Sequence, residues 1–586
     1  MMTRTVAPRW AADGWTVRKI AVVGPGIVGM PMAALLAAAR VRIGREEPAP
    51  VVVVQRPSAT SGWKVAAINA GRSPIGGVEP ELAGIVADAV GAGLLSATHD
   101  PLAVADADAV VVCTQTDRRG LAPDYDPLFG ALDGVIEALR RRPADGGPPP
   151  LVILESTLAP SSMQTVVRDR FRAAGLEDGR DVRLANSPNR VMPGRLAERV
   201  RHADKLVGAL DPDTTPLVAR LYAHAVTMGA LHETNSLTAE VVKTLENAYR
   251  DVRIAFASEL VRWCDTFDMD FYALRDAVNA RLAQADRASA DPHLVPTGGV
   301  LVPTLGVGGH CLPKDGILLW WRALEAGVSD AASVVLEARR INDEAPAVTL
   351  RAAERRFGSL STASVAILGM AYRPESEDTR NSPSLVLARL LRERGCTVRL
   401  HDPYVRTDDQ NLRRTGFDTA FTDDLDAVLA RADIVVVACA HRDYLALPDR
   451  LRRLAPRLRG VVDACHAYGR GERLERAGIT AMGIGYGRRV PPSALVEFVV
   501  DSFRAMERGV ACEVAMLADF LSERYAARPF DRVEYEVVRR LAGTCPTGCR
   551  LGEPVRVEAA PEYEGFAMRL PRRAAAGTAA AAVGVS

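Results

Sequence analysis

Lysine is scarce in this chain. Of 73 cationic residues only five are lysine, at positions 19, 64, 205, 243 and 314, and the rest are arginine. Arginine serves solvated faces and ion pairs equally well, so each lysine kept asks for a role that needs a compact charge or an amine able to lose its proton. Charge imbalance is also missing. With 72 acidic residues the net charge is +1, and no bulk field draws the chain to nucleic acid or to an anionic membrane surface. No run of about 18 apolar residues occurs, which excludes a spanning helix, and the N-terminus has no apolar stretch of signal-peptide length. The nine cysteines (113, 264, 311, 396, 439, 465, 512, 545 and 549) are scattered, several within apolar runs. That is the pattern of reduced thiols rather than of a disulfide framework. A soluble cytoplasmic protein is expected, with neither nucleic acid nor membrane as partner.

What is present points to several cores. At 586 residues with 48% hydrophobic content, the chain is long enough for about three or four domains. "RKIAVVG", "VVVVQR", "ADAVVVCTQT" and "LVILEST" are short apolar runs separated by stretches of helical spacing, which predicts a parallel sheet covered on both faces. The same alternation returns in "SVAILGMAY", "TVRLHDP", "ADIVVVACAH" and "GVVDACH". Between the two, residues 236–268 contain neither Gly nor Pro and keep helical spacing throughout; such a helix would reach roughly 45 Å. The expected fold class is α/β: two Rossmann-like doubly wound parallel sheets joined by a long central helix or helical domain, plus a C-terminal extension. The expected domains are 18–210 (dinucleotide binding), 211–335 (central and helical), 336–490 (second Rossmann-like unit) and 491–586. In the last, a helix over 494–525 is expected to make an oligomer or domain contact, and "AAAGTAAAAVGVS" reads as a disordered tail.

Gly24, Gly26 and Gly29, around Ile27 and Val28, have the G-x-G-x-x-G spacing directly after a strand and at the opening of a helix. The first glycine allows the tight turn, the second lets backbone approach a pyrophosphate, and the third permits close helix packing. The alternative is a glycine turn that serves packing alone. At the end of the second strand Gln55-Arg56 replaces the usual acidic residue. Glutamine can bond a ribose hydroxyl and Arg56 can pair with a 2′-phosphate, so NAD and NADP both stay open.

"GVGGHCLPKD" places Gly306, Gly308 and Gly309 before His310 and Cys311, with Lys314 and Asp315 behind. Such glycines let backbone N–H groups approach an oxyanion or phosphate. A lone cysteine is usually inert. Here one of the five lysines follows at once, and a second, Lys243, lies one helical turn before Asn247, so that both project from one face. A solvated helix face would have used arginine, so Cys311 and Lys243 are candidates for chemistry. "CPTGC" offers only Cys545 and Cys549, and no histidine occurs after His466. A zinc site wants four ligands, so two free thiols and no metal are expected there.

Eight motifs in order ("GPGIVGMP", "INAGRSPIGGVEPEL", "LESTLAPSS", "SPNRVMPGRL", "VVKTLENAYRD", "GVGGHCLPKD", "LGMAYRPESEDTRNSP" and "HDPYV") make residues 18 to 490 resemble the nucleotide-sugar 6-dehydrogenases. That family acts on UDP-glucose, GDP-mannose or UDP-N-acetylhexosamines. "GGHC", "QRPSATSGWK" and "RVMPGRL" resemble the N-acetylhexosamine branch, in which Gln-Arg at the second strand is usual. The resemblance implies oxidation of a sugar C6 alcohol to a carboxylate in two hydride transfers, of the kind used in polysaccharide biosynthesis, by a homodimer paired through the long helix. It casts Cys311 as nucleophile, Lys243 and Asn247 as oxyanion holders, Asp315 as the carboxylate orienting water, and Thr157 as the hydroxyl beside it. NAD would be carried by Gly24, Gly26, Ile27, Val28, Gly29, Gln55, Arg56 and Thr116, with Lys314 neutralising a phosphate. Arg190, Gly308, Gly309, His310, Arg373 (a lysine in the family) and Arg380 would contact the UDP-sugar. One position departs from the pattern: Asn189 stands where the family has a glutamate assigned to thioester hydrolysis. Losing a general base costs roughly 10²–10⁴-fold in rate, which predicts a thioester that lingers on Cys311.

Overall fold

The computed structural model describes residues 14–143, 147–289, 296, 298–330, 333–545 and 548–554. The low-complexity tail lies outside them. The chain divides into two compact units, the boundary falling between Glu246 and Asn247. The first unit also takes Leu318–Ala326 and the stretch from Ala515 into the 540s; the second takes Asn247–Ile317, Gly327–Val514 and the residues from Gly548 on.

In the first unit, β1 (Ile20–Val23), β2 (Val51–Val54), β3 (Leu95–Thr98), β4 (Ala109–Val112), β7 (Leu151–Leu154) and β8 (Arg183–Asn186) form a parallel sheet in the order β3-β2-β1-β4-β7-β8. A small antiparallel hairpin, β5 (Asp117–Arg119) and β6 (Ala122–Asp124), leaves the sheet after β4. Strands "IAVV", "VVVV", "AVVV" and "LVIL" are buried along their whole length, as a sheet covered on both faces requires. The order of these six is the doubly wound one, in which ligands bind outside the carboxyl ends of the strands where the order reverses. Two further strands, β9 (Lys205–Ala209) and β10 (Leu231–Asn235), extend the edge to eight, β9 antiparallel to β8. Their sequence signal is weak, because "LHETN" is largely polar.

In the second unit, β11 (Ser364–Leu368), β12 (Thr397–His401), β13 (Ile434–Val437), β14 (Gly460–Asp463) and β15 (Ala481–Gly483) form an all-parallel sheet ordered β12-β11-β13-β14-β15.

Five helices matter below. The first, α1 (Gly29–Ala38), follows the glycine turn. The expected long helix is α2 (Ser236–Thr266). Next come α3 (Leu312–Glu325), beginning one residue after Cys311, α4 (Ser493–Tyr525) and α5 (Tyr535–Gly543). Within the second unit α4 packs on α2: the Phe256 and Phe503 rings meet edge to face at 5.3 Å, and the Tyr249 hydroxyl donates to Glu507 at 3.0 Å. No helix among the described residues is long and apolar enough to cross a membrane.

Candidate active site

In the first unit, the candidate dinucleotide site is the turn between β1 and α1. Gly24 takes φ +95°, a conformation open to glycine. A Cβ at Gly29 would lie 2.2 Å from the Gly24 carbonyl oxygen, so this glycine permits the helix to start where it does. A Cβ at Gly26 would meet nothing within 4 Å; its bare backbone faces open space, as close approach of a pyrophosphate requires. The Lys64 ammonium donates to the Pro25 carbonyl at 3.2 Å, tying the helix Trp63–Asn69 to this turn. The Gln55 side-chain amide donates to the Ser61 hydroxyl at 3.1 Å, and its neighbour Arg56 is exposed. Thr116 is buried and donates to the Thr157 carbonyl at 2.7 Å, joining the carboxyl ends of β4 and β7.

Behind the same strand ends is a buried charge cluster. Glu155 is 2% exposed and receives the Lys205 ammonium at 2.9 Å; Lys205 also donates to the Ser187 carbonyl at 3.1 Å. The Asn189 amide nitrogen donates to Glu155 at 3.3 Å, while its oxygen accepts the Val191 N–H at 2.7 Å. Both ends of Asn189 are therefore engaged, one by a carboxylate and one by backbone. Arg190, expected at the substrate, is instead turned inward. Its side chain is 2% exposed and paired with Glu246 on α2. Another buried acid, Glu240, accepts the N–H groups of Ser161 and Met163 at 2.7 and 2.9 Å, and burial pushes its pKa up to about 8.

In the second unit, a separate cluster is built around Cys311. Its carbonyl accepts the N–H groups of Lys314 and Asp315 at 3.1 and 2.9 Å, which seats the residue at the N-terminus of α3, where a helix dipole favours negative charge. The thiol is free and half-buried. Asp315 is fully buried; one oxygen accepts the Asn247 amide at 2.6 Å and the other holds the Lys314 ammonium at 2.5 Å. This corrects the expected role of Lys314. At 2% side-chain exposure its ammonium is committed to Asp315, not to a phosphate. Lys243 lies on α2 one turn before Asn247, buried at 6% exposure.

The glycines before Cys311 also differ from expectation. The Gly309 N–H donates to the Arg380 carbonyl at 2.8 Å, and the Asn381 amide donates to the Gly309 carbonyl at 3.0 Å, so the polar groups of this residue are not offered to an oxyanion. A Cβ on Gly308 would lie 2.5 Å from Cβ of Tyr372, and one on Gly309 would lie 2.8 Å from the Tyr372 ring. The loop is glycine-rich because it packs flat on "AYR" and "TRNSP". Arg380 is held by Asp378 at 2.8 and 2.5 Å. Burial works against its charge, but Asp378 outweighs burial, Cys311 adds to the hold, and the pKa rises above the usual arginine value. Burial likewise raises the Tyr372 hydroxyl to about 12, Asp378 and Cys311 contributing. His310 and Arg373 are half-buried nearby in sequence. Glu155, Tyr372 and Asn381 lie within the quoted motifs but were given no role there; Lys205 lies outside them, although the rule that each surviving lysine has a role would have found it.

A doubly wound sheet with a bare glycine turn defines the class as dinucleotide-binding. The particular kind follows from sequence. The chain belongs to the UDP-glucose/GDP-mannose dehydrogenase family: its NAD binding domain matches residues 18–226, its central domain 237–344 and its UDP binding domain 366–470. The protein is thus an NAD-dependent nucleotide-sugar dehydrogenase, and its cofactor is NAD. It is 30% identical over 430 residues to a UDP-N-acetyl-D-mannosamine dehydrogenase of Pyrococcus horikoshii, covering 73% of this chain and 90% of that one. A similar match, 30% over 448 residues, covers 74% of this chain and 94% of an NDP-N-acetyl-D-galactosaminuronic acid dehydrogenase of Ralstonia nicotianae. The crystal structure of the NDP-N-acetyl-D-galactosaminuronic acid dehydrogenase of Methanosarcina mazei superimposes with a TM-score of 0.64 at 31% identity, over 80% of this chain and 96% of that one.

Proposed function

We propose that the protein oxidises the C6 alcohol of a UDP-N-acetylhexosamine, UDP-N-acetylmannosamine first among them, to the uronate. The observation that carries the reading is the Cys311–Asp315–Asn247 arrangement: a free thiol at a helix N-terminus, one turn from a buried carboxylate that an amide of α2 holds in place. NAD, carried at Gly24, Gly26, Ile27, Val28, Gly29, Gln55 and Thr116, supplies a hydride acceptor in each of two oxidations. The first converts the C6 alcohol to the aldehyde. The Cys311 sulfur adds to its carbonyl carbon while the thiol proton passes to the carbonyl oxygen, giving a thiohemiacetal whose oxygen Lys243 and Asn247 hold. Loss of a second hydride leaves a thioester, and water, oriented by Asp315 and Thr157, releases the carboxylate and restores the thiol. Arg373 and Arg380, with His310, form the sugar-nucleotide side.

Asn189 sets the slow step. Its amide donates to Glu155 and has no capacity to take a proton from water, so the thioester outlives the oxidations and hydrolysis limits turnover. The assembly is a homodimer.

The test is to mix the protein with UDP-N-acetylmannosamine, UDP-N-acetylglucosamine or UDP-glucose and NAD, and to count NADH per sugar. Two NADH per sugar and a uronate from an N-acetylhexosamine support the reading. Preference for UDP-glucose replaces the substrate, and no reduction with any sugar makes the protein a nucleotide-sugar binder. A burst of enzyme-equivalent size, with the acyl adduct on Cys311 seen by mass spectrometry, supports the slow thioester; no adduct during turnover refutes it.

A further inference from the structure

The carboxy-terminal extension lies beyond the last family domain, which ends at residue 470, yet it reaches the residues beside Asn189 and Lys243. All the groups concerned belong to the first unit. The Asn235 amide, at the end of β10, donates to the carbonyls of Phe530 and Arg532, both at 2.8 Å, while its oxygen accepts the Thr238 N–H in the first turn of α2. The extension is thereby pinned at the start of the helix that bears Lys243. Further on, α5 ends at Gly543, and its last turn closes on Arg190. One guanidinium nitrogen of Arg190 donates to the Thr544 hydroxyl at 2.8 Å and to the Asp204 carbonyl at 3.3 Å. The other donates to Glu246 at 2.5 Å and to the Leu541 carbonyl at 3.0 Å. The Thr544 hydroxyl in turn donates to the Leu541 carbonyl at 2.7 Å.

We infer that Arg190 is a positioning residue and that the extension, through Thr544 and Leu541, is the clamp that holds it. Arg190 follows Asn189 directly; Glu246 follows Lys243 by three residues on α2. Their ion pair therefore couples the loop after β8 to the helical turn that carries the amine. A planar guanidinium with both terminal nitrogens engaged has its orientation fixed. Extension contacts on both nitrogens thus set where the loop and the helix turn stand. A misplacement of about 1 Å at a reacting group can cost on the order of 10²-fold in rate. The inference rests on the catalytic reading above and adds to it a dependence on residues outside the family domains.

The experiment compares the full-length protein with Thr544→Val, which keeps shape but removes the hydroxyl, and with Thr544→Ser, which restores it. In Thr544→Val we expect kcat to fall on the order of 10-fold, with KM for sugar nucleotide and NAD within about two-fold, an intact melting temperature and recovery in Thr544→Ser. Arg190→Lys, which loses the planar fork, should follow Thr544→Val. A rise in KM at constant kcat would mean that Arg190 binds substrate and overturns the inference, as would an unchanged kcat in Thr544→Val. If Arg190→Lys fails to fold, the Thr544 pair decides. Amide hydrogen exchange across Asn189–Val191, faster in Thr544→Val and normal in Thr544→Ser, tests the clamp without turnover. Should the wild-type protein reduce no NAD with any sugar nucleotide, the functional reading fails while exchange still judges the clamp; unchanged exchange then overturns it.

Discussion

Two glycine-rich loops serve this protein in opposite ways. At Gly24–Gly29 the middle glycine faces open space, and the missing side chain leaves room for something that arrives from outside. At Gly306–Gly309 the missing side chains make room for Tyr372 and Pro383 of the chain itself. The first loop is bare so that a ligand can touch backbone. The second is bare so that backbone can touch protein, fixing the approach to Cys311. Composition alone does not separate the two; what a Cβ would meet does.

The largest effect that sharpens this contrast is at the end of the packed loop. Cys311→Ser should lower kcat on the order of 10³-fold or more, as loss of a nucleophile does, and leave NAD affinity unchanged; stopped-flow NADH formation with a parallel cofactor titration checks both. Next, Gly308→Ala places a Cβ 2.5 Å from that of Tyr372. Overpacking of this kind costs about 1–3 kcal/mol, and the cost should be smaller in a Tyr372→Gly background, which lacks the opposing Cβ, as read by denaturant unfolding. An unchanged midpoint in the single variant would break the comparison. Gly26→Ala should do the reverse: no loss of melting temperature, since its Cβ meets nothing within 4 Å, with KM for NAD raised about 10-fold, equivalent to roughly 1.4 kcal/mol.

A separate, pH-dependent effect concerns a buried acid of the first unit. Burial raises Glu240 from an ordinary 4.5 to about 8, so the folded chain holds a proton that the unfolded chain releases across that window. Stability is therefore full below the lower value and falls as pH rises towards the upper, by at most about 1.4 kcal/mol per pH unit. Glu240→Gln should flatten the dependence of unfolding free energy on pH between 5 and 8, and an unaltered slope would remove Glu240 from the account.

Much of this architecture was legible in the residues. Fully apolar strands such as "VVVV" and "AVVV" identify a sheet covered on both faces, and a stretch free of Gly and Pro gives α2 nearly to its ends. The edge strand "LHETN" was not legible, because an edge strand need not be apolar and its polar residues hide its period. The motif spacing singled out Cys311, Asp315 and Asn247, which the structure brings together. The family resemblance gave Lys314 to a phosphate and Arg190 to the sugar nucleotide, roles that need side chains facing a ligand. Their partners, Asp315 for one and Glu246 with Thr544 for the other, become visible only when the chain is folded. For Arg190 the separation is 354 positions, far beyond any local pattern.

That separation has a consequence for how the chain can be recombined. A gene segment cut at the limits of the family domains carries Arg190 and Glu246 but leaves Leu541 and Thr544 behind. In a hybrid between this chain and a relative that stops near the second Rossmann unit, a buried guanidinium would lose two acceptors at once. The extension and the loop after β8 must therefore be inherited together, and the heritable module is longer than the domains by which its family is recognised.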